Sequence, residues 1–227
     1  GQNHKPIIVW IDSEKFEADK DKLKELDGLD GIIVPGGFGK RGGEGMILAA
    51  DYARRNKIPY FGLCLGMQIM TISFARNVLG LKEANSTEFD PNTPYPVIAT
   101  MQDQVEKIKN KNYGASMRLG TYPCRLKEGT QAAAAYGLSA QAGKKEISER
   151  HRHRYEVNNS YIGELEKAGF VFSGTSPDGT LMEIAELPKK EHPFYLGVQF
   201  HPEFLGRPLS PHPLFSAFIK ACIARKK

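Results

Sequence analysis

Three residues of this chain stand in contexts suited to nucleophilic catalysis: Cys64, His201 and Glu203. Cys64 follows the apolar run Pro59-Tyr60-Phe61-Gly62-Leu63 and sits at the centre of Gly-x-Cys-x-Gly. That pattern reads as a strand turning sharply into a helix, the geometry of a nucleophile elbow, with glycines where a Cβ would clash. A thiolate at a helix start gains from the helix dipole and from any cationic neighbour. The same cysteine also reads as a small core hydrophobe. Near the other end, Phe194-Tyr195-Leu196-Gly197-Val198-Gln199-Phe200 forms an apolar strand pattern running into His201-Pro202-Glu203. Pro202 biases His201 towards extended backbone, and residues two apart then share a face. His201 can so act as the base for the thiol while Glu203 orients its imidazole. An ordinary surface turn carrying His and Glu fits the pattern as well.

A third element is the loop Pro35-Gly36-Gly37-Phe38-Gly39, which follows the short strand pattern Gly31-Ile32-Ile33-Val34. Consecutive glycines let amide N–H groups turn towards a ligand oxygen, and with the N–H of Leu65 they can form an oxyanion hole. A plain strand-to-helix turn has the same composition. A phosphate loop is disfavoured, because Lys40-Arg41-Gly42 replaces the Gly-Lys-Ser/Thr that one requires.

Taken in order, Pro-Gly-Gly, Gly-x-Cys-x-Gly and His-Pro-Glu resemble the class I glutamine amidotransferases. Further stretches resemble the glutaminase domains of the CTP synthase family: Val34-Pro35-Gly36-Gly37-Phe38-Gly39 with Arg41-Gly42, Ala84-Asn85-Ser86-Thr87-Glu88-Phe89, Ser116-Met117-Arg118-Leu119-Gly120, and the run from Glu149 to Asn159. The resemblance covers nearly the whole chain from Val9 onward. It implies that Cys64 attacks the side-chain amide of L-glutamine, releasing ammonia and then glutamate, with His201 and Glu203 completing the triad. Gly37 and the backbone of Leu65, Gly66, Met67 and Gln68 would hold the reacting amide, and Glu88 and Arg154 would bind the amino-acid end. An ammonium needs an acceptor and a carboxylate suits a planar guanidinium fork. Read without the resemblance, Glu88 is an ordinary surface carboxylate.

The resemblance further implies no cofactor or metal within this domain. ATP, UTP and Mg belong to a synthase domain absent from this chain, GTP is a candidate allosteric activator, and the full enzyme is expected to be a homo-oligomer (tetramer). It also implies a strand and helix ahead of Lys5, which this chain does not contain. Two other functions stay open: a thiol hydrolase acting on another γ-glutamyl compound, and a catalytically silent assembly or regulatory module.

The elements that must position these residues alternate in the first third of the chain. Strand patterns at 7–11, 31–34 and 59–63 interleave with helical ones at 20–26, 44–56 and after Cys64. Such alternation predicts an α/β fold with a mainly parallel central sheet flanked by helices. The elbow helix, with apolar residues all round, should be buried on most sides. From 97 to 187 short strands and turns predict an additional small antiparallel region, before a final helix near 213–224. Residues 103–112 and 131–145 read as loops. The whole chain, 1–227, is expected to form one domain.

Composition narrows the class. The net charge of +5 is concentrated at 144–155 and at Arg225-Lys226-Lys227, which leaves no broad basic stripe for nucleic acid. Arg150-His151-Arg152-His153-Arg154, read as a strand, puts arginines on one face and histidines on the other, either as a solvated edge strand or as a nucleotide-sensing surface joined by Arg41. The N-terminal residues show no apolar signal region and no stretch has the length of a membrane span. With three cysteines at no metal-type spacing, a cytoplasmic protein without disulfides is expected, with Cys124 and Cys222 in the core.

Overall fold

The computed structural model describes residues 4–100, 117–137 and 146–225. Its main sheet has seven strands: β1 Ile32–Val34, β2 Tyr60–Leu63, β5 Arg118–Leu126, β6 Glu146–His153, β8 Val171–Thr175, β9 Met182–Glu186 and β10 Tyr195–Val198. Their order is β1-β2-β10-β9-β8-β5-β6. Only the β1–β2 and β2–β10 pairings are parallel, and the other four are antiparallel. The expectation of a mainly parallel sheet is therefore corrected. Parallel neighbours need a long crossover, and the chain supplies helical crossovers only in its first part; β8, β9 and β10 follow one another through connections short enough for antiparallel pairing.

A second sheet, β3 Ala84–Ser86, β4 Tyr95–Thr100 and β7 Tyr155–Val157, is mixed, since β3 runs parallel to β4 and β7 antiparallel to it. The antiparallel strands expected to form a small separate region thus lie mostly in the main sheet.

The helices are α1 Glu14–Ala18, α2 Gly43–Arg55, α3 Leu65–Asn77, α4 Gln131–Ala135, α5 Ile162–Lys167 and α6 Pro213–Arg225. Residues 20–26, expected as α-helix, lie in a 3-10 helix over Lys20–Gly28. Helix α4 falls where a loop was expected: Thr130 caps it by accepting the Ala133 N–H, and Ala132 and Ala133 are buried. The rest of that loop and all of 103–112 lie outside the described residues, apart from Tyr136 and Gly137. Residues 7–11 form no strand. Ile7, Ile8 and Trp10 remain 90%, 72% and 89% exposed, and β1 pairs with β2 alone. An apolar run becomes a strand only where a neighbour takes its amides, and none of the described strands does so here.

The central strands are buried on both faces. Tyr60 and Tyr195 pack into the core that includes α2 and α3, while their successors Phe61 and Leu196 pack on the other side with Leu214, Phe218 and Cys222 of α6. This is the period of two expected of a strand. Helix α3 is buried from Leu65 through Ala75, as its all-round apolar character required. Gly197 lets it approach β10, since a Cβ there would come within 2.9 Å of the Met67 backbone. Parallel pairing of β2 with β10 sets Leu63 beside Val198, so the chain segments that follow the two strands emerge side by side.

Candidate active site

Cys64 leaves β2 with φ 49° and ψ −98°, a conformation that L residues adopt at a cost of roughly 1–3 kcal/mol. The surrounding contacts impose it. Cys64 N–H donates to the Val198 carbonyl at 2.7 Å, anchoring the turn to β10. A Cβ on Gly62 would meet the Gly66 carbonyl group at 2.5 Å, and one on Gly66 would meet the Val34 oxygen at 2.2 Å. Both glycines of the Gly-x-Cys-x-Gly motif are therefore demanded by close backbone approach, and the strand turns into α3 as the motif predicted.

His201 follows β10 at the same end of the sheet, where its N–H donates to the Arg150 carbonyl at 2.8 Å. Nδ1 lies 2.7 Å from Oε1 of Glu203, while the buried Nε2 has no hydrogen-bond partner among the described residues. The His201 backbone, at φ −113° and ψ 86°, is non-helical but stops short of the extended conformation expected before Pro202. Glu203 reaches it through a one-turn 3-10 helix, Pro202–Phe204, rather than by strand alternation. Phe204 stacks on the imidazole with centroids 5.0 Å apart.

Gly36 stands between the side chains of Cys64 and His201. A Cβ built on it would lie 2.7 Å from Cε1 of His201 and 3.6 Å from Cβ of Cys64. Both side chains thus border the single position that the glycine leaves open. Gly37 stands beside Leu65, whose Cδ2 would be 3.1 Å from an added Cβ. The loop therefore packs against Cys64 and the first turn of α3.

Burial dominates the thiol. It pushes Cys64 up to about 12, the Leu65 N–H acts in the opposite sense, and the carboxylates of Glu156, Glu203 and Glu88 raise it further. The Leu65 N–H supplies the gain expected at a helix start, but desolvation outweighs that single amide and favours the thiol.

Glu88 lies in the turn after β3. Its Oε1 accepts the Gly39 N–H at 2.8 Å, burial raises its carboxyl, and Arg154 draws it down. Arg154 sits between β6 and β7. The structure thus gathers Glu88, Arg154 and Gly39 on the same side as Cys64. The side chain of Gln68, by contrast, is occupied within the protein: its Nε2 donates to the Tyr155 carbonyl at 3.1 Å and to Oε1 of Gln199 at 3.3 Å.

Gln199 is the residue that the motifs alone do not single out. Its Nε2 is 3.7 Å from the sulfur of Cys64. The available signal was period two counted back from His201, because 199 and 201 share a face of an extended segment.

Along β6 the expected alternation holds, with Arg150 and Arg152 exposed, His151 and His153 buried, and the strand at the edge of the sheet. Arg152 lies over the Phe38 ring at 5.4 Å, and Arg41 pairs with Glu14 at 3.0 Å. The buried histidines face an ionic cluster in which Arg118 meets Glu183 at 2.5 Å and Glu156 at 3.9 Å. Cys124 and Cys222 are buried and unbridged, as expected. Among the described residues no group of His, Cys, Asp and Glu is arranged to hold a metal ion, and no helix is long and apolar enough to cross a membrane.

Comparison with known proteins bears on this arrangement directly. The family model of class-I glutamine amidotransferases matches residues 2–221. A CTP synthase of Rubrobacter xylanophilus is 58% identical over 95% of this chain, and one of Bacillus velezensis is 55% identical over 95%. The chain spans only 37–38% of the length of these two relatives. Among solved structures, the glutaminase domain of Trypanosoma brucei CTPS with bound acivicin superposes with a TM-score of 0.88 and 38% identity, covering 97% of this chain and 82% of that one. A putative GMP synthase protein from Thermoplasma acidophilum, at TM-score 0.56 and 18% identity over 90% of this chain and 78% of that one, shares the fold.

Proposed function

The chain belongs to the glutamine amidotransferase class-I family, as a glutaminase domain of CTP synthase type, and on that premise we propose that it hydrolyses L-glutamine through a thioester on Cys64. The observation that carries the reading is the convergence of Cys64 and His201 on the space left by Gly36, with the His201 Nε2 unpartnered among the described residues and its Nδ1 held by Glu203.

The steps follow from the groups present. The Cys64 thiol is protonated at rest, so its proton passes to Nε2 of His201 as sulfur attacks the side-chain carbonyl carbon of glutamine. Glu203 holds the Nδ1–H tautomer and stabilises the imidazolium. The oxygen that gains charge is stabilised by the N–H groups of Leu65 and of the Gly36-Gly37 loop. His201 then returns the proton to the departing nitrogen, and ammonia leaves. Water, deprotonated by the same imidazole, attacks the thioester; glutamate departs and the thiol is restored. Glu88 accepts from the substrate ammonium and Arg154 takes its carboxylate in a two-point grip, while the backbone of Leu65, Gly66, Met67 and Gln68 supports the amide.

Ammonia is the useful product on this reading. It passes to a synthase domain outside this chain, where ATP, UTP and Mg²⁺ bind and UTP becomes CTP; GTP activation and tetramer formation belong to that whole assembly. The domain solved from T. brucei carries acivicin, which supports an organised pocket for an amino-acid ligand here.

The test is ammonia release from glutamine by the chain and by Cys64→Ala, Cys124→Ala and Cys222→Ala, with and without an added synthase domain. Hydrolysis should vanish in the Cys64 variant and persist in the other two. Turnover that survives loss of Cys64 would refute the reading.

A further inference from the structure

The buried carboxamide of Gln199 lies within 3.7 Å of the Cys64 sulfur, and the order of its two ends can be deduced. A backbone carbonyl only accepts hydrogen bonds. The carbonyl of Tyr155 lies 3.1 Å from one end of the Gln68 amide and 3.3 Å from Nδ1 of His153, so both must present N–H to it. With Nε2 of Gln68 a donor, the Gln199 atom 3.3 Å from it must be the oxygen. The nitrogen of Gln199 is thereby turned towards sulfur. One carbonyl fixes two amides in sequence, and the second is left with its donor on the nucleophile.

We propose that Gln199 is a further catalytic residue, whose side-chain N–H, locked in orientation by Gln68 and the Tyr155 carbonyl, donates to the Cys64 sulfur and stabilises the thiolate that attacks substrate. The setting strengthens such a bond. Gln199, Cys64 and Gln68 are all buried, and a donor to an ionised acceptor gains most where water is excluded. The sulfur has few other stabilising contacts. The Arg152 carbonyl, 3.9 Å away, is an acceptor that suits the thiol proton and opposes the anion, and the carboxylates of Glu156, Glu203 and Glu88 act against the anion too. The Leu65 N–H and the Gln199 amide are the donors that favour it. The backbone beneath Gln199 is also fixed, its N–H donating to the Glu183 carbonyl at 2.8 Å. Sulfur thus receives one donor from the helix start and one from the strand end, with His201 left free to move the proton.

The proposal rests on Cys64 being the nucleophile of the glutaminase reaction, yet its test reads the sulfur itself. Alkylation of Cys64 by iodoacetamide is followed by mass spectrometry as a function of pH, in the unaltered chain, Gln199→Met and Gln199→Glu. Methionine fills the space without a donor and should slow alkylation about tenfold along the rising limb, the equivalent of one pKa unit. The KM for glutamine should stay within about threefold, as for a group that acts on the nucleophile. Glutamic acid donates while protonated and repels once ionised, so its profile should rise less steeply than the unaltered one. Profiles for both variants that overlay the unaltered chain would overturn the proposal, as would a uniform slowing by both with no change of slope in the glutamate variant. If neither variant folds, the Gln199 side-chain amide resonances of the unaltered chain decide the matter: they should shift when Cys64 is alkylated, and unmoved resonances would overturn it. Absent glutamine turnover with these outcomes intact would fault the proposed reaction and leave the role of Gln199 standing.

Discussion

Gly36 and His201 are so close that a methyl group on the glycine would lie 2.7 Å from Cε1 of the imidazole. Separations below about 3 Å force something to shift, and here the shifting group is the proposed base. Gly36→Ala should therefore lower kcat by about tenfold or more, since small misplacements at a reacting centre can cost up to 10²-fold. Stability should change less than activity, because Gly36 is only half-buried and lies outside the helices and strands. Paired kinetics and thermal unfolding check this, and unchanged kcat would show that the imidazole has room to spare.

The two triad partners should not count equally. His201→Ala removes the group proposed to move the proton and should lower kcat by about 10³-fold, within the usual range for general acid–base catalysis. Glu203→Gln should cost less, on the order of 10- to 100-fold, because the Glu203 side chain is 38% exposed and solvent screens its charge. Steady-state kinetics on the two variants give the ranking. Equal losses would mean that the carboxylate does more than orient.

Acid should weaken the fold through the buried histidines. Burial, together with the Arg118 charge, pushes His153 down to about 3, so the native state stays neutral where the unfolded chain takes up a proton. A depressed native pKa gives stability that is present above about 6.5 and is lost as pH falls from there towards 3. Glu183, pushed up to about 7 chiefly by burial, works in the opposite sense across part of the same window. The clean measurement is therefore the difference between the unaltered chain and His153→Gln. Between pH 6.5 and 5.0 the unaltered chain should lose about 1.6 kcal/mol more than the variant, from 1.36 kcal/mol per pKa unit with the unfolded histidine half protonated at the upper pH. Urea unfolding at the two pH values measures it, and identical losses would show that His153 is protonated in the native state.

Much of this was legible in the sequence for a physical reason: the motifs encode backbone constraints. Gly62 and Gly66 are read correctly because a sharp strand-to-helix turn excludes Cβ atoms wherever it occurs. The histidine–arginine alternation of β6 is read correctly because a strand has period two. The direction of the sheet was not legible, since apolar runs such as those of β8 and β9 look alike whether their neighbour runs up or down. Residues 7–11 misled for a related reason, as strand propensity says nothing about whether a partner is present. The preference for the thiol was not legible, because a helix start can be recognised locally, whereas burial of Cys64 depends on Gln199, Arg152 and the Gly36 loop arriving from distant parts of the chain. Gln199 was overlooked on the same account, its role depending on Gln68 and Tyr155, neither of which is near it in sequence.

The most direct test of the central claim is covalent labelling. A glutamine analogue carrying an electrophile at the side-chain carbonyl position is incubated with the chain, and adducts are located by mass spectrometry. On the proposed mechanism attack requires only the Gly36-Gly37 loop, the first turn of α3, Glu88, Arg154, Cys64 and His201. One adduct, on the peptide containing Cys64 and prevented by excess L-glutamine, is the predicted result even where steady turnover is slow. Labelling shared with Cys124 and Cys222, or undiminished by glutamine, would contradict an organised glutamine site around Cys64.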